Sequence, residues 1–199
     1  LFISSCSSEY NWGWYILDPT LEQGLSNLVT SYDSDGFSIG NNASINNSGG
    51  SFVGWLWKAG GTAVSNTAGS ITSSVSANTT SGFSIGNYTG NGTAGATIGH
   101  SLGTTPDMII IKNRNDPTAH SWAVYHSAIG ATGALQLNAT DAVSTNSVWF
   151  NNTAPTSSLF SIGGSGSSTN SSGYDRVFYA FANTSMIKCG SYTGNGSTN

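Results

Sequence analysis

The pentapeptide GFSIG stands at Gly36–Gly40 and again at Gly82–Gly86, and LFSIG occurs at Leu159–Gly163. Gly-x-Ser-x-Gly is the spacing of a hydrolase nucleophile elbow, a strained strand-to-helix turn that lifts a serine hydroxyl above a parallel sheet. That chemistry would make Ser38 or Ser84 the nucleophile and would need a helix directly after it. The chain instead continues with NNASINNSGG after Gly40 and with NYTGNGTAG after Gly86. Both are built from turn formers whose side chains compete for backbone hydrogen bonds, so no helix is expected at either place. One chain would also hardly need several nucleophiles. The pattern reads instead as strand grammar, with Phe and Ile on one face, Ser on the other and Gly ending the strand.

Other residues able to do chemistry are sparse. His100, His120 and His126 with Asp107, Asp116 and Asp141 are the candidates for a metal or acid–base site in the second half of the chain. None stands at H-x-x-x-H, C-x-x-C or calcium-loop spacing, so neither a metal nor a cofactor is expected. A glycosidase needs two carboxylates across a cleft. Of nine acidic residues, five precede Gly36, and no pair stands out. Enzyme action is therefore disfavoured. Cys6 and Cys189 permit one disulfide but make no disulfide framework. Cys189 takes the place of Ile85 in a repeated segment, which suits a small apolar side chain.

Six tryptophans, Trp12, Trp14, Trp55, Trp57, Trp122 and Trp149, could fill a core or offer flat faces to sugar rings. Trp55 and Trp57 share one strand face, and their repeat partners Tyr179 and Phe181 are aromatic, which suits a packed inner layer. Trp149 and Phe150, in NSVWFNNTAPTS beside Asn and Pro, are the expected exposed rings and the candidate ligand-binding residues.

Charged residues are 7% of the chain and the net charge is -4. Hydroxyls and amides rather than ions must keep such a surface wet, and the basic footprint that phosphate binding needs is missing, so nucleic acid is not an expected partner. Hydrophobic residues at 37% and aromatics at 11% lie in short runs such as MIII and VFYAFA, which require a core. No run approaches the roughly 20 apolar residues of a membrane helix, so no membrane insertion is expected. The opening LFISSCSSEYNWGW carries no Met and no basic leader and reads as the start of a fragment. Ten Asn-x-Ser/Thr sequons occur, few enough above chance in a chain so rich in Asn, Ser and Thr to decide nothing.

Repeats organise the rest. IKCGSYTGNGS (Ile187–Ser197) aligns with FSIGNYTGNGT (Phe83–Thr93), and the segment from Gly36 through Gly60 aligns with that from Leu159 through Asn183. NWGWY (Asn11–Tyr15) matches SWAVY (Ser121–Tyr125). The expected organisation is the C-terminal half of a first β unit over 1–61, a hairpin or linker over 62–81, and a second unit over 82–199 that runs into the start of a third. Strands are expected near Asn11–Leu17, Gly36–Gly40, Phe52–Lys58, Thr62–Ser65, Ser70–Ser76, Phe83–Tyr88 and Asp107–Asn113. Further strands are expected near Trp122–His126, Ala134–Asn138, Ser147–Phe150, Leu159–Ile162, Arg176–Ala182 and Met186–Tyr192. That spacing implies an all-β chain of antiparallel, jelly-roll-like β-sandwich units in tandem. At most one short helix is expected, over DPTLEQGLSNLV from Asp18 to Val29, with Asp18 as N-cap and Pro19 at the first helical position.

The stretch GWLWKAGGTAVSNTAGSITSSVSANTTSGFSIGNYTGNGT, with SWAVYHSAIGA, WFNNTAPTSSLFSIG and GSYTGNGS, resembles a repeat domain of tail-fibre and virion structural proteins of marine bacteriophages, including phages of cyanobacteria. The resemblance runs from about Trp12 onward. It departs locally, with Ala68 where an acidic turn residue is usual and Cys189 where an aromatic is common. It implies a non-enzymatic segment of a tail fibre, spike or capsid-surface fibre on the virion surface, associated with other virion proteins. It implies a homo-oligomer, a trimer by analogy, with host-surface polysaccharide as its ligand. A secreted bacterial adhesin or carbohydrate-binding module is the alternative, and a glycoside hydrolase the third reading.

Overall fold

A computed structural model describes residues 2–5, 14–16, 28–32, 36–117, 121–145, 148–165 and 167–197. The chain divides into two compact units, Leu1–Trp57 and Lys58–Asn199.

The first unit holds β1 (Phe2–Ser5), β2 (Trp14–Ile16), β3 (Val29–Tyr32), β4 (Phe37–Ile39), a single helical turn α1 (Ala43–Asn46) and β5 (Phe52–Trp55). β1 pairs antiparallel with β2 on one side and β5 on the other, and β3 pairs with β4. Leu28 and Ile45 are its buried apolar centre, with Val29, Phe37 and Phe52 against them. The turn α1 corrects the expectation that no helix comes after Gly40, since the Asn42 carbonyl accepts from both the Ile45 and Asn46 N–H groups. The expected helix over Asp18–Val29 lies outside the described residues but for its last two, of which Val29 belongs to β3.

The second unit continues with β6 (Val64–Asn66), β7 (Ser73–Asn78), β8 (Phe83–Thr89), β9 (Thr97–Gly99), β10 (Met108–Asn113), β11 (Ala123–His126), β12 (Gly133–Gln136), β13 (Ser144–Thr145), β14 (Leu159–Ser161) and β15 (Asp175–Phe181). Eight of these form one antiparallel sheet in the order β13-β12-β11-β10-β15-β8-β7-β6, and β14 pairs with β9 in a separate ribbon. The stretch expected as a hairpin or linker over 62–81 is the β6–β7 hairpin at the sheet edge. Its alternation of small polar and apolar residues suits an edge, with Val75 inward and 1% exposed.

Period-two alternation sends Val75, Ile109, Ile111, Ala123, Tyr125, Phe178 and Ala180 to one sheet face, where Ile98, Phe160 and Ile162 of the ribbon region and Leu102 and Phe150 of the loops cover them. Burial of each large apolar side chain contributes roughly 1.5–3 kcal/mol. Ile110, Val177, Tyr179 and Phe181 on the opposite face are buried as well. This is why MIII and VFYAFA are apolar at every position.

The architecture is all-β and antiparallel. The order β2-β1-β5 in the first unit recurs as β11-β10-β15 in the second, with the same antiparallel sense at each pairing. Three expectations are corrected. Met186–Tyr192 is not a strand, although its sequence copy β8 is, because β8 lies between β15 and β7 and no described strand flanks the copy. Val148–Phe150 is a turn rather than a strand, since Asn151 and Asn152 take left-handed φ values of 52° and 50° that end any extended run. Trp55 is 39% exposed whereas its counterpart Tyr179 is 2% exposed. β15 has neighbours on both sides, but β5 pairs only with β1 among the described residues. Among the described residues no helix is long and apolar enough to cross a membrane.

Candidate functional site

The GFSIG serines Ser38 and Ser84 lie within strands β4 and β8. Ser84 lies within β8, fully buried, with no hydrogen-bond partner for its hydroxyl. Ser38 is exposed on β4. The pattern's last glycine does not always end the strand: Gly86 is in the middle of β8, where the Phe178 ring lies 2.6 Å from the place a Cβ would occupy. At Gly163 a Cβ would overlap the Val148 carbonyl oxygen. Close packing therefore requires glycine at both positions.

His100 is fully buried. The Leu102 N–H donates to its Nδ1 at 3.3 Å, so the proton is assigned to Nε2, which donates to the Thr156 carbonyl at 3.2 Å. Burial pushes its pKa below the ordinary value, the Thr156 hydrogen bond partly opposing. The unfolded chain therefore binds a proton more readily than the folded one. Stability is fully present above about pH 7 and is lost as pH falls from the unfolded value near 6.5 toward the lower folded one. We expect the thermal midpoint to drop between about pH 7 and pH 5, and we expect His100→Asn to flatten that slope. An unchanged slope in the variant would assign the pH dependence to other groups. His126 uses Nδ1 to accept from the Ala128 N–H, and His120 lies outside the described residues. Among those residues no group of three His, Cys, Asp or Glu could hold a metal.

The two residues expected as exposed rings separate. Phe150 is 2% exposed and makes an edge-to-face contact with Tyr125, centroids 5.8 Å apart. The turn that replaces the expected strand folds this ring into the core, which corrects its assignment to the surface. Trp149 is half-buried and packs against the same core. Its carbonyl accepts from the Gly163 N–H and the Thr169 hydroxyl. Cys189 is a free thiol, half-buried, and Cys6 lies outside the described residues. Asp107 binds the Ser127 hydroxyl and the Asn183 N–H rather than facing a second acid.

The densest polar constellation was not among the sequence candidates. The loop Ser167–Ser171, all Ser, Thr and Asn, is buried, with Thr169 and Asn170 fully so. Asn170 Oδ1 accepts from the Asn91 N–H at 2.9 Å and the Gly92 N–H at 3.3 Å. Its Nδ2 donates to the Thr93 carbonyl at 2.9 Å and the Gly163 carbonyl at 2.7 Å. The Tyr88 hydroxyl donates to the Thr169 carbonyl at 2.7 Å. Burial pushes its pKa far up, the nearby Arg176 charge opposing, so it remains a donor. Across the junction the Gly173 N–H donates to the Gly90 carbonyl and the Gly90 N–H to the Tyr174 carbonyl. The repeated YTGNG segment is thus clasped along its length by the Ser/Asn loop.

Arg176 closes the far end of this clasp. It is fully buried, and its Nε donates to the Ser168 carbonyl at 2.9 Å and its Nη1 to Asn113 Oδ1 at 2.7 Å. Asp116 lies 3.7 Å from Nη2. Desolvation lowers the Arg176 pKa, and Tyr88, Asp116 and Asp175 oppose this. Asp175 fixes the edge, accepting from the Thr89 hydroxyl at 2.8 Å and from Asn115 at 3.1 Å. The recurrence of YTGNG was the sequence signal for one half of the clasp. The other half, a run of small polar residues, looks like any solvated loop. Chemically the arrangement positions backbone and excludes water.

No curated protein and no solved structure matches the chain. Residues 18–199 match the family model described as a domain of unknown function, DUF7483, and the chain belongs to that family.

Proposed function

We propose that this chain is a non-enzymatic structural segment of a virion fibre, a tail fibre, spike or capsid-surface fibre at the particle surface, built of tandem β-sandwich units. Its work is mechanical: repeated units hold a contact surface at a distance, other virion proteins anchor it, and weak contacts to host-surface glycans sum by avidity. The observation that carries this reading is the recurrence of one architecture in both units. The order β2-β1-β5 answers β11-β10-β15, and Asn46 Nδ2 donates to the Gly40 carbonyl at 2.7 Å as Asn170 Nδ2 does to the Gly163 carbonyl at 2.7 Å. The buried polar groups support it too, because His100, Asn170, Arg176 and Tyr88 each hold backbone in place.

Immunogold labelling of purified particles with an antibody to this chain tests the assignment. Label along a fibre is the expected result, and label confined to the cell surface would favour the secreted adhesin. Glycan contact has its own test in Trp149→Ala on a glycan array. A roughly tenfold loss is expected if that ring stacks on a sugar, and unchanged binding removes Trp149 from the account. Hydrolysis of a host polysaccharide, abolished by one Asp or Glu substitution, would overturn the non-enzymatic reading.

A further inference from the structure

His100 ties two loops of the second unit together, and both of its ring nitrogens take part. Its Nδ1 accepts from the Leu102 N–H at 3.3 Å, two residues along its own loop, and its Nε2 donates to the Thr156 carbonyl at 3.2 Å, in the loop that leads into β14. The His100 backbone N–H donates to the Ser158 carbonyl of that same loop at 3.2 Å. The ring is fully buried.

Little else anchors the two loops. Of Ser101–Thr105 only Leu102 is buried, and of Thr153–Ser158 only Pro155. Ser101 takes a left-handed φ of 58°, an unfavourable conformation for a residue with a Cβ, and Asn66 Nδ2 steadies it by donating to its Oγ at 2.8 Å. Segments with few buried apolar contacts are where a fold opens first. β14 pairs with β9 alone, outside the eight-stranded sheet, so these loops can part without breaking any pairing of that sheet.

A second proton on the imidazole turns Nδ1 from acceptor into donor. It would then point an N–H at the Leu102 N–H and carry a charge into an apolar site. No carboxylate is there to receive that charge. The segments around Gly99–Leu102, residues 66–75, 96–106 and 153–162, contain no Asp, Glu, Lys or Arg. Asp107, next along the chain, is occupied by the Ser127 hydroxyl and the Asn183 N–H.

We propose that His100 is an acid-operated latch: protonation at Nδ1 releases Ser101–Thr105 and Thr153–Ser158 from one another and uncovers Leu102, while the eight-stranded sheet and the Asn170 clasp stay closed. Burial favours the neutral ring in the latched state, the Thr156 bond partly opposing, whereas the open state restores the ordinary value near 6.5. Acid therefore favours opening by mass action. The latch goes beyond the virion reading and does not depend on it.

Amide hydrogen exchange of the full chain at pH 7 and pH 5, corrected for intrinsic rates, tests this. The His100, Leu102 and Thr156 amides bond to the Ser158 carbonyl, the His100 ring and the Leu159 carbonyl. At pH 7 they should be at least about tenfold less protected than the Asn91 and Gly92 amides that Asn170 holds. At pH 5 they should lose roughly a further tenfold, the gain in proton binding by an open-state imidazole over that interval. His126 accepts from the Ala128 N–H of its own turn, and that amide reports on it separately. In His100→Asn, whose side chain does not titrate, protection at Leu102 and Thr156 should be the same at both pH values. Equal protection of the loop amides and of Asn91 and Gly92 in the wild type would mean that the unit opens only as a whole and would overturn the proposal. So would wild-type loop amides that ignore pH, or a His100→Asn chain that keeps the wild-type dependence.

Discussion

Asn170→Ala is expected to destabilise the second unit by about 3–5 kcal/mol, since the cost of leaving each buried polar group unpaired is about 1–3 kcal/mol. The substitution strands the Asn91 N–H and the Gly163 carbonyl, and leaves the Thr93 carbonyl with only its bond from the Ala96 N–H. The Gly92 N–H keeps a second acceptor in the Asn170 carbonyl and loses less. Asn46 is the internal control, because it sits in the matching loop, exposed, with a single bond to Gly40. Asn46→Ala should cost less than about 1 kcal/mol, as exposed substitutions do. Thermal unfolding of both variants followed by near-ultraviolet circular dichroism separates these outcomes. Equal effects would mean that burial of the second loop contributes little.

Arg176→Met is the second large effect. Methionine roughly fills the volume of the aliphatic stem but carries no donor, so the Ser168 carbonyl loses its Nε bond and Asn113 Oδ1 its Nη1 bond. Asp116, with 5% of its side chain exposed, loses the guanidinium 3.7 Å away. Removal of one member of a buried charged network costs about 3–5 kcal/mol because the remaining charge loses its counterion. In a unit of this size that lowers the midpoint by roughly 10 °C. Conversion of Asp116 to Asn in the same background should recover part of the loss, since it removes the buried negative charge. A variant as stable as wild type would show the ion pair to be dispensable.

The sequence is informative about elements and less so about what buries them. Most strands follow from short apolar runs between turn formers, and MIII and VFYAFA, the runs that require a core, lie in β10 and β15, adjacent strands inside the eight-stranded sheet. The repeat alignment correctly paired Gly36–Trp57 with Leu159–Phe181, down to a shared hydrogen bond from Asn46 and from Asn170. Burial of polar loops was not legible. Nothing local distinguishes GSGSSTNSSG, which is packed, from NNASINNSGG, whose polar residues are mostly exposed. The difference lies in whether a YTGNG segment reaches the loop, which is a tertiary fact. Phe150 was misplaced for a related reason. Its polar neighbours suggested a surface, but two left-handed asparagines turn the chain so that the ring points inward.

The central claim is that the buried polar atoms of this protein are a structural clasp rather than a reactive site. Amide hydrogen exchange tests it most directly, because the chain contains one copy of the five residues held by Asn170 and one exposed copy. The Asn91 and Gly92 amides, both bound to Asn170, should exchange only with opening of the whole second unit. The amide of Gly196, the exposed counterpart of Gly92, should exchange much faster. Equal, fast exchange at the two copies would contradict the account.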